Sequence, residues 1–214
     1  MRIAILGAGN VGGALGKGWA RAGHRITYGV PDPGKAKYAA LAAAAGGARV
    51  ATVAEAARDA EAIVLAVPFG AVGAALAACG DLAGRIVIDA TNPLRMGKAG
   101  LELAMGFTGS GAEQVAALAP TAAVFKTLNQ VGFEVMADTA GYAAPPVMFV
   151  AGDDDASKPT VMTLVGDLGF QAVDAGPLAL ARLLEPFAML WIHMALNRKA
   201  GRDNAFAYLP RTPA

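Results

Sequence analysis

The opening of the chain limits its possible folds more than any other stretch. Ile3-Ala4-Ile5-Leu6 runs directly into Gly7-Ala8-Gly9-Asn10-Val11-Gly12. An apolar strand, a Gly-x-Gly-x-x-Gly turn and a helix-compatible run from Gly13 to Ala22 form the pattern that cradles a dinucleotide's bridging phosphates. Gly7 permits the tight turn, Gly9 lets backbone approach a diphosphate, and Gly12 lets the helix lie close on the strand. Asn10 and Val11 begin the helix, where unpaired N–H groups and the positive end of the dipole face an anion. Glycine-rich turns are common, so the strand before and the helix after carry the inference.

Beyond this unit, short apolar runs alternate with helical stretches, the signature of a parallel sheet. Strands are expected at 2–6, 25–30, 49–51, 62–67, 85–89, 123–128, 147–151 and 171–174. Helices are expected at 11–22, 34–45, 53–57, 71–78, 111–118, 157–168 and 178–199. The implied fold is α/β: a Rossmann, doubly wound, mostly parallel sheet over residues 1–176. A small C-terminal helical segment, 177–214, packs on the sheet or in a dimer interface. Residues 93–109 have glycines and no clear period, and read as a loop over the active face.

Composition narrows the partners. Of 214 residues, 55% are hydrophobic and 16% charged, a surplus that suggests a buried homodimer interface. With a net charge of +1 and no basic run interleaved with aromatics, nucleic acid is not an expected ligand. Cys79 is the sole cysteine and the first strand starts at Arg2, which together point to the cytoplasm. The apolar stretch 178–196 contains Arg182, Glu185, Pro186 and His193, so it reads as a buried helix rather than a membrane span.

In an open doubly wound sheet the ligand lies beyond the carboxyl ends of the strands. That selects Val67, Pro68 and Phe69 after the fourth strand, Asn92 and Pro93 after the fifth, and Lys126 and Asn129 at the sixth. Val67 and Pro68 would present backbone and apolar surface to ribose and nicotinamide. Asn92 and Asn129 would bond the carboxamide or an acceptor ring. Lys126, a charge inside an apolar strand, is either an electrophile for the substrate or a partner of Asp89 or Asp174. Trp191, Phe187, Met189 and Met194 line an acceptor pocket or simply pack. Asp154, Asp155 and Ser157 precede a helix and read as capping rather than metal ligation. Arg182 and Glu185, three apart on one helix, read as an ion pair. His193 reads as a hydrogen-bonded core or interface residue, and Cys79 as inert. There is no Gly-x-Ser-x-Gly, no paired cysteine and no zinc-ligand spacing, which disfavours nucleophilic or zinc hydrolysis.

Two further motifs complete the picture: Val147-Met148-Phe149-Val150-Ala151-Gly152-Asp153-Asp154-Asp155, then Val173-Asp174-Ala175-Gly176-Pro177-Leu178 with Arg182-Leu183-Leu184-Glu185 behind. In this order, after a Gly-x-Gly-Asn-x-Gly turn, they resemble the family of coenzyme F420-dependent NADP reductases, over nearly the whole chain. The resemblance implies hydride exchange between NADP(H) and the deazaflavin coenzyme F420, with a flavin as fallback acceptor. Two places depart from it. Family members hold the 2′-phosphate of NADP with a serine or threonine and an arginine after the second strand; here Val30 and Pro31 stand there. Asp32 follows, and Lys35 and Lys37 at the start of the next helix are the cations that could meet a phosphate; the resemblance to the family is the main ground for favouring NADP, with NAD as the alternative. Deazaflavin users also carry a histidine after the sixth strand, where this chain has Lys126-Thr127-Leu128-Asn129. Two other readings therefore stay open: a dinucleotide-binding redox sensor, and a dehydrogenase of a small carbonyl or imine with Lys126 or Asn129 polarising it.

Overall fold

A computed structural model describes residues 1–98 and 100–211. In chain order the first half comprises β1 (Arg2–Leu6), α1 (Asn10–Arg21), β2 (Arg25–Gly29), α2 (Lys37–Ala44), β3 (Arg49–Ala51), α3 (Val53–Arg58), β4 (Ala62–Leu65), α4 (Val72–Cys79) and β5 (Ile86–Asp89). The second half comprises β6 (Leu94–Gly97), β7 (Gly100–Leu103), α5 (Gly111–Leu118), β8 (Ala123–Lys126), α6 (Phe133–Ala137), β9 (Val147–Gly152), α7 (Lys158–Gly166), β10 (Gln171–Gly176) and α8 (Ala181–Ile192). Eight strands form one sheet in the order β10-β9-β8-β5-β4-β1-β2-β3. β1 to β5 and β8 run parallel, whereas β9 pairs antiparallel with β8 and carries β10 parallel to itself. From β1 the chain builds outward through β2 and β3, then returns to build the other way through β4, β5 and β8. The switch point is thus the β1/β4 junction, where such sheets place their ligand.

Both faces of the sheet are covered, so β4 is apolar throughout and β5 is apolar up to its last residue, Asp89. Alternate residues go to opposite layers. Ile3, Ile5, Val64, Ile88 and Phe125 pack with Leu15 and Trp19 of α1 and Val161 and Leu164 of α7. Ala4, Leu6, Ile63, Leu65 and Val87 pack with Ala56 of α3, Leu76 of α4 and Val115 of α5. Trp19 is fully buried, and its indole N–H donates to the Leu164 carbonyl at 2.7 Å, joining α1 to α7 without leaving a polar atom unpaired.

The last helix links the two layers. Leu178, in a short 3₁₀ turn, and Ala181 of α8 pack on the layer of α4 and α5, while Trp191 and Ala195 pack on the layer of α1 and α7. Between them α8 crosses the carboxyl ends of β5 and β8. Pro186 sits inside α8, and the helix ends in a π-helical turn over His193–Asn197. By length and composition Leu178–Asn197 is long and apolar enough to cross a membrane. In the fold one face of it is buried and carries a carboxylate, Glu185, while Leu183, Leu190 and Met194 lie on the outside.

Several sequence expectations are corrected. The loop expected at 93–109 contains the antiparallel hairpin β6–β7, with Arg95 and Glu102 paired across it at 2.8 Å. α6, five residues long, was too short to show a period. β8 stops at Lys126 because Leu128 adopts φ +59°, a backbone that breaks the ladder. Gln130 then substitutes for the missing peptide: its amide donates to the Phe149 carbonyl and accepts from the Phe149 N–H, both at 2.9 Å.

Candidate dinucleotide site

The turn after β1 has the geometry that its glycines require. Gly7 lies at φ +109°, and a Cβ there would stand 2.4 Å from the Ala66 carbonyl oxygen of the neighbouring strand end. A Cβ on Gly12 would come within 2.1 Å of the Gly7 oxygen. These two glycines are therefore needed by the protein's own packing. Gly9 is different: a Cβ there would meet nothing within 4 Å. Its bareness serves no internal contact and leaves room for something outside to approach the backbone. α1 begins next to it with no side-chain cap and no acidic residue in its first turn, so the N–H groups of Asn10, Val11 and Gly12 are offered to an external acceptor. The cradle fits a diphosphate.

At the ribose end the structure separates the candidates. Val30 is buried, with its N–H bonded to Ala51 at 3.0 Å, so its side chain belongs to the core rather than to a ligand. Pro31 is exposed beside it. Asp32 accepts from the Gly34 N–H at 3.2 Å and stands 3.9 Å from the Lys35 ammonium. Both side chains are more than half exposed, so Lys35 is a cation beyond the end of β2 in a loose pair with Asp32.

The remaining carboxyl-edge candidates gather around β4, β5 and β8. Pro68 opens a 3₁₀ turn over Phe69–Ala71 that leads into α4, leaving Val67 half-buried at the strand end. The Phe69 ring lies so close to Gly111 that a Cβ there would be 2.8 Å away. Asn92 and Asn129 clasp each other: the Asn92 amide donates to the Asn129 carbonyl at 3.0 Å, and the Asn129 amide donates to Asn92 Oδ1 at 3.1 Å. Pro93 is buried and its carbonyl accepts from Ala104, tying β7's end to the site.

Lys126 does not face a substrate. Its side chain is 0% exposed and its ammonium donates to Asp89 Oδ2 at 2.9 Å and to the Thr91 carbonyl at 2.5 Å. Glu185 Oε1 is 3.3 Å away. The pairing with Asp174 is excluded, because Asp174 bonds Lys158 at 3.1 Å. Hydrogen bonding to the Gly176 N–H and to Lys158 holds the Asp174 carboxyl below its usual range. Nor do Arg182 and Glu185 pair. Glu185 turns inward to accept from the Gly111 and Ala112 N–H groups at 2.9 and 3.1 Å, whereas Arg182 forms a two-pronged pair with Glu113.

The other titratable candidates lie away from chemistry. His24 bridges the N-terminal amine and Asp167, and His193 is exposed on the last turn beside Asn197. Burial pushes the Cys79 thiol up to about 11, and it donates to Ala75, which makes it inert. Asp154 bonds the Ser157 N–H at 2.7 Å ahead of α7, and Asp153 bonds Leu178. Among the described residues no group of three His, Cys, Asp or Glu side chains is arranged for a metal. Trp191 is packed, its N–H on the Asn204 carbonyl, while Phe187 stands in an aromatic row with Phe149 and Phe206. A cavity of about 250 Å³ lined by Arg2, Arg25 and Arg49 opens at the opposite, amino-terminal edge of the strands and is separate from this site.

A doubly wound sheet with a glycine cradle at its switch point defines a dinucleotide-binding protein of the Rossmann class. The family described as NADP oxidoreductase, coenzyme F420-dependent, matches residues 2–93. A protein from Arthrobacter sp. FB24, described by name as an F420-dependent NADP reductase, is 32% identical with a TM-score of 0.90, over 98% of this chain and 100% of that one. The chain belongs to the family of F420-dependent NADP oxidoreductases, and is an oxidoreductase that binds NADP(H). A hypothetical protein from Sinorhizobium meliloti is also similar, at 28% identity and a TM-score of 0.72 over 84% of this chain and 86% of that one. A reductive aminase from Aspergillus terreus, in complex with NADPH4, cyclohexanone and allyl amine, shares the fold at 20% identity and a TM-score of 0.69. That likeness covers 93% of this chain and 62% of the aminase.

Proposed function

We propose that the protein exchanges hydride between NADP(H) and a flat redox acceptor of the deazaflavin type, coenzyme F420, with a flavin as the related alternative. The observation that carries this reading is the likeness along its whole length to the Arthrobacter protein described as an F420-dependent NADP reductase. The site's composition supports it. Histidine and cysteine are directed elsewhere, and the one lysine nearby is sealed among carboxylates. Hydride passage between two rings needs alignment more than acid–base groups.

NADP(H), when bound, supplies or accepts the hydride. The amides of Asn10, Val11 and Gly12 would hold its diphosphate, and Gly7 and Gly9 keep the approach open. Lys35 would meet the 2′-phosphate across the end of β2. Val67, Pro68 and Phe69 would flank the nicotinamide ribose, and Asn92, clasped to Asn129, would bond the carboxamide. A cytoplasmic location is part of this reading, in keeping with a lone cysteine that has no partner within the chain for a disulfide.

The assembly in this reading is a homodimer. α8 presents Leu183 and Leu190 to the outside, 54% and 50% exposed, with Met194 continuing the face at 40%. Such a row on a helix that also closes the site is suited to a second copy. Mixing the protein with NADPH and a panel of F420, flavin, carbonyl and imine acceptors, followed at the reduced nicotinamide band, tests the function. Oxidation by F420 or flavin is the expected result. Oxidation only by a carbonyl or imine would replace the acceptor, and scattering that gives a monomer would remove the dimer.

A further inference from the structure

We infer that Lys126 is a positioning residue for the nicotinamide end of the site, and that Glu185, delivered by the last helix, completes its setting. The inference rests on the proposal that Asn92 meets the nicotinamide carboxamide. Three charged side chains, Asp89, Lys126 and Glu185, are each 0% exposed and meet at the carboxyl ends of β5 and β8. An ammonium has three protons to donate. Here Asp89 Oδ2 and the Thr91 carbonyl accept two of them at 2.9 and 2.5 Å, Glu185 Oε1 stands 3.3 Å away as an ion-pair partner, and the ammonium is closed off from solvent.

What this arrangement fixes is one residue. Asp89 Oδ1 accepts from both the N–H and the hydroxyl of Thr91, at 2.9 and 2.6 Å, while Lys126 takes the Thr91 carbonyl. Thr91 is therefore gripped on both sides, and the next residue is Asn92. The Asn92 side chain is then fixed by its clasp with Asn129, whose amide also donates to the Leu184 carbonyl of α8 at 3.3 Å. Glu185, adjacent to Leu184, balances Lys126 and places its two oxygens on the first N–H groups of α5. Two carboxylates against one ammonium leave an excess negative charge, and the positive end of α5 faces it.

Stability alone does not explain this set, because a buried ion cluster is commonly no more stable than well-packed apolar residues of the same volume. What the charges impose is direction. Lys126 acts through Thr91 on the orientation of Asn92, and the α8 segment, by bringing Glu185 and the Leu184 carbonyl, becomes part of the nicotinamide site rather than an appendage.

The test compares three readouts in Glu185→Gln, Lys126→Met and Asn92→Ala: affinity for adenosine 2′,5′-bisphosphate, affinity for NADPH, and the single-turnover rate of hydride transfer from NADPH to F420, or to whichever acceptor of the panel oxidises NADPH with the wild type. The first ligand lacks nicotinamide and reports the remainder of the site. For Lys126→Met the expected result is unchanged bisphosphate affinity, weaker NADPH binding and a hydride-transfer rate lower by about 10²-fold, the scale of a misplaced reacting ring. Glu185→Gln should fall between wild type and Lys126→Met, and decides the matter if Lys126→Met does not fold. Equal losses for both ligands would show a merely structural cluster and overturn the inference. So would wild-type rates in both cluster variants while Asn92→Ala is impaired. If Asn92→Ala itself is unimpaired, the placement of the nicotinamide is what has failed.

Discussion

Asn92 and Asn129 exchange hydrogen bonds across the carboxyl ends of β5 and β8, at 3.0 and 3.1 Å, although they lie 37 positions apart in the chain. Asn129 is 4% exposed and also serves the Leu184 carbonyl and the Gln130 amide. Replacing it by alanine removes the Asn129 amide from the Leu184 carbonyl and from Asn92 Oδ1, and one of the two acceptors of the Gln130 amide, whose bond to Phe149 remains, a loss of about 1–3 kcal/mol. Urea unfolding of Asn129→Ala should show a lower midpoint with an unchanged slope. Asn92→Ala, half-buried, should unfold nearer to wild type. A wild-type midpoint for Asn129→Ala would mean the clasp contributes nothing.

Two of the motif glycines, Gly12 and Gly9, should separate by function. Gly12→Ala drives a methyl into the Gly7 carbonyl, 2.1 Å away, and should destabilise the fold by about 1–3 kcal/mol. Gly9→Ala meets nothing within 4 Å, so its stability should stay within about 0.5 kcal/mol of wild type. Yet its methyl stands where a diphosphate would lie, and NADPH affinity should drop at least about tenfold, or about 1.4 kcal/mol. Thermal melts and calorimetric titration read the two effects independently. Equal NADPH affinity in Gly9→Ala would remove this residue from the cradle.

Lys35 is more than half exposed and held near Asp32 at 3.9 Å. Its charge should therefore favour the 2′-phosphate only modestly, by about two- to fivefold for an exposed pair. Lys35→Ala should weaken NADPH by that factor, leave NADH unchanged, and lose the difference in high salt. Unchanged NADPH affinity at low salt would assign the preference to another group.

Acid should act on the Glu113–Arg182 pair. The Arg182 hydrogen bonds, with a further bond from Ser110, hold the Glu113 carboxyl below its ordinary value of 4.5. A depressed carboxyl contributes stability that is complete above its unfolded value and is lost as pH falls through the folded one. Glu113→Gln should be less stable than wild type at neutral pH, with the gap closing below about pH 4.5. A gap that stays constant down to pH 3 would show that the pairing does not set this titration.

Much of the fold was legible because its signals are local. The apolar runs of β1, β4 and β5 and the glycines at 7 and 12 each state their structure within a few residues. Lys126 was legible as an anomaly, a charge in an apolar strand, but not as a setting. Glu185 and the α5 amides that it caps lie 74 positions apart and meet only when α8 crosses the sheet edge. The i,i+3 spacing of Arg182 and Glu185 suggests an ion pair, but Glu185 is buried on the α5 amides and Arg182 pairs with Glu113 instead. Val30 occupied the motif position of a ligand contact but is a core residue, because the β2 ladder extends one bond further to Ala51. The Leu128 backbone at φ +59° has no sequence cue, since neither glycine nor asparagine marks it.

A crystal structure with NADP⁺ tests the account at its centre. The cradle predicts diphosphate oxygens about 3 Å from the amide nitrogens of Asn10 and Val11, with the nicotinamide carboxamide on Asn92. A diphosphate bound anywhere else, or a cradle closed to it at saturating nucleotide, would contradict the account.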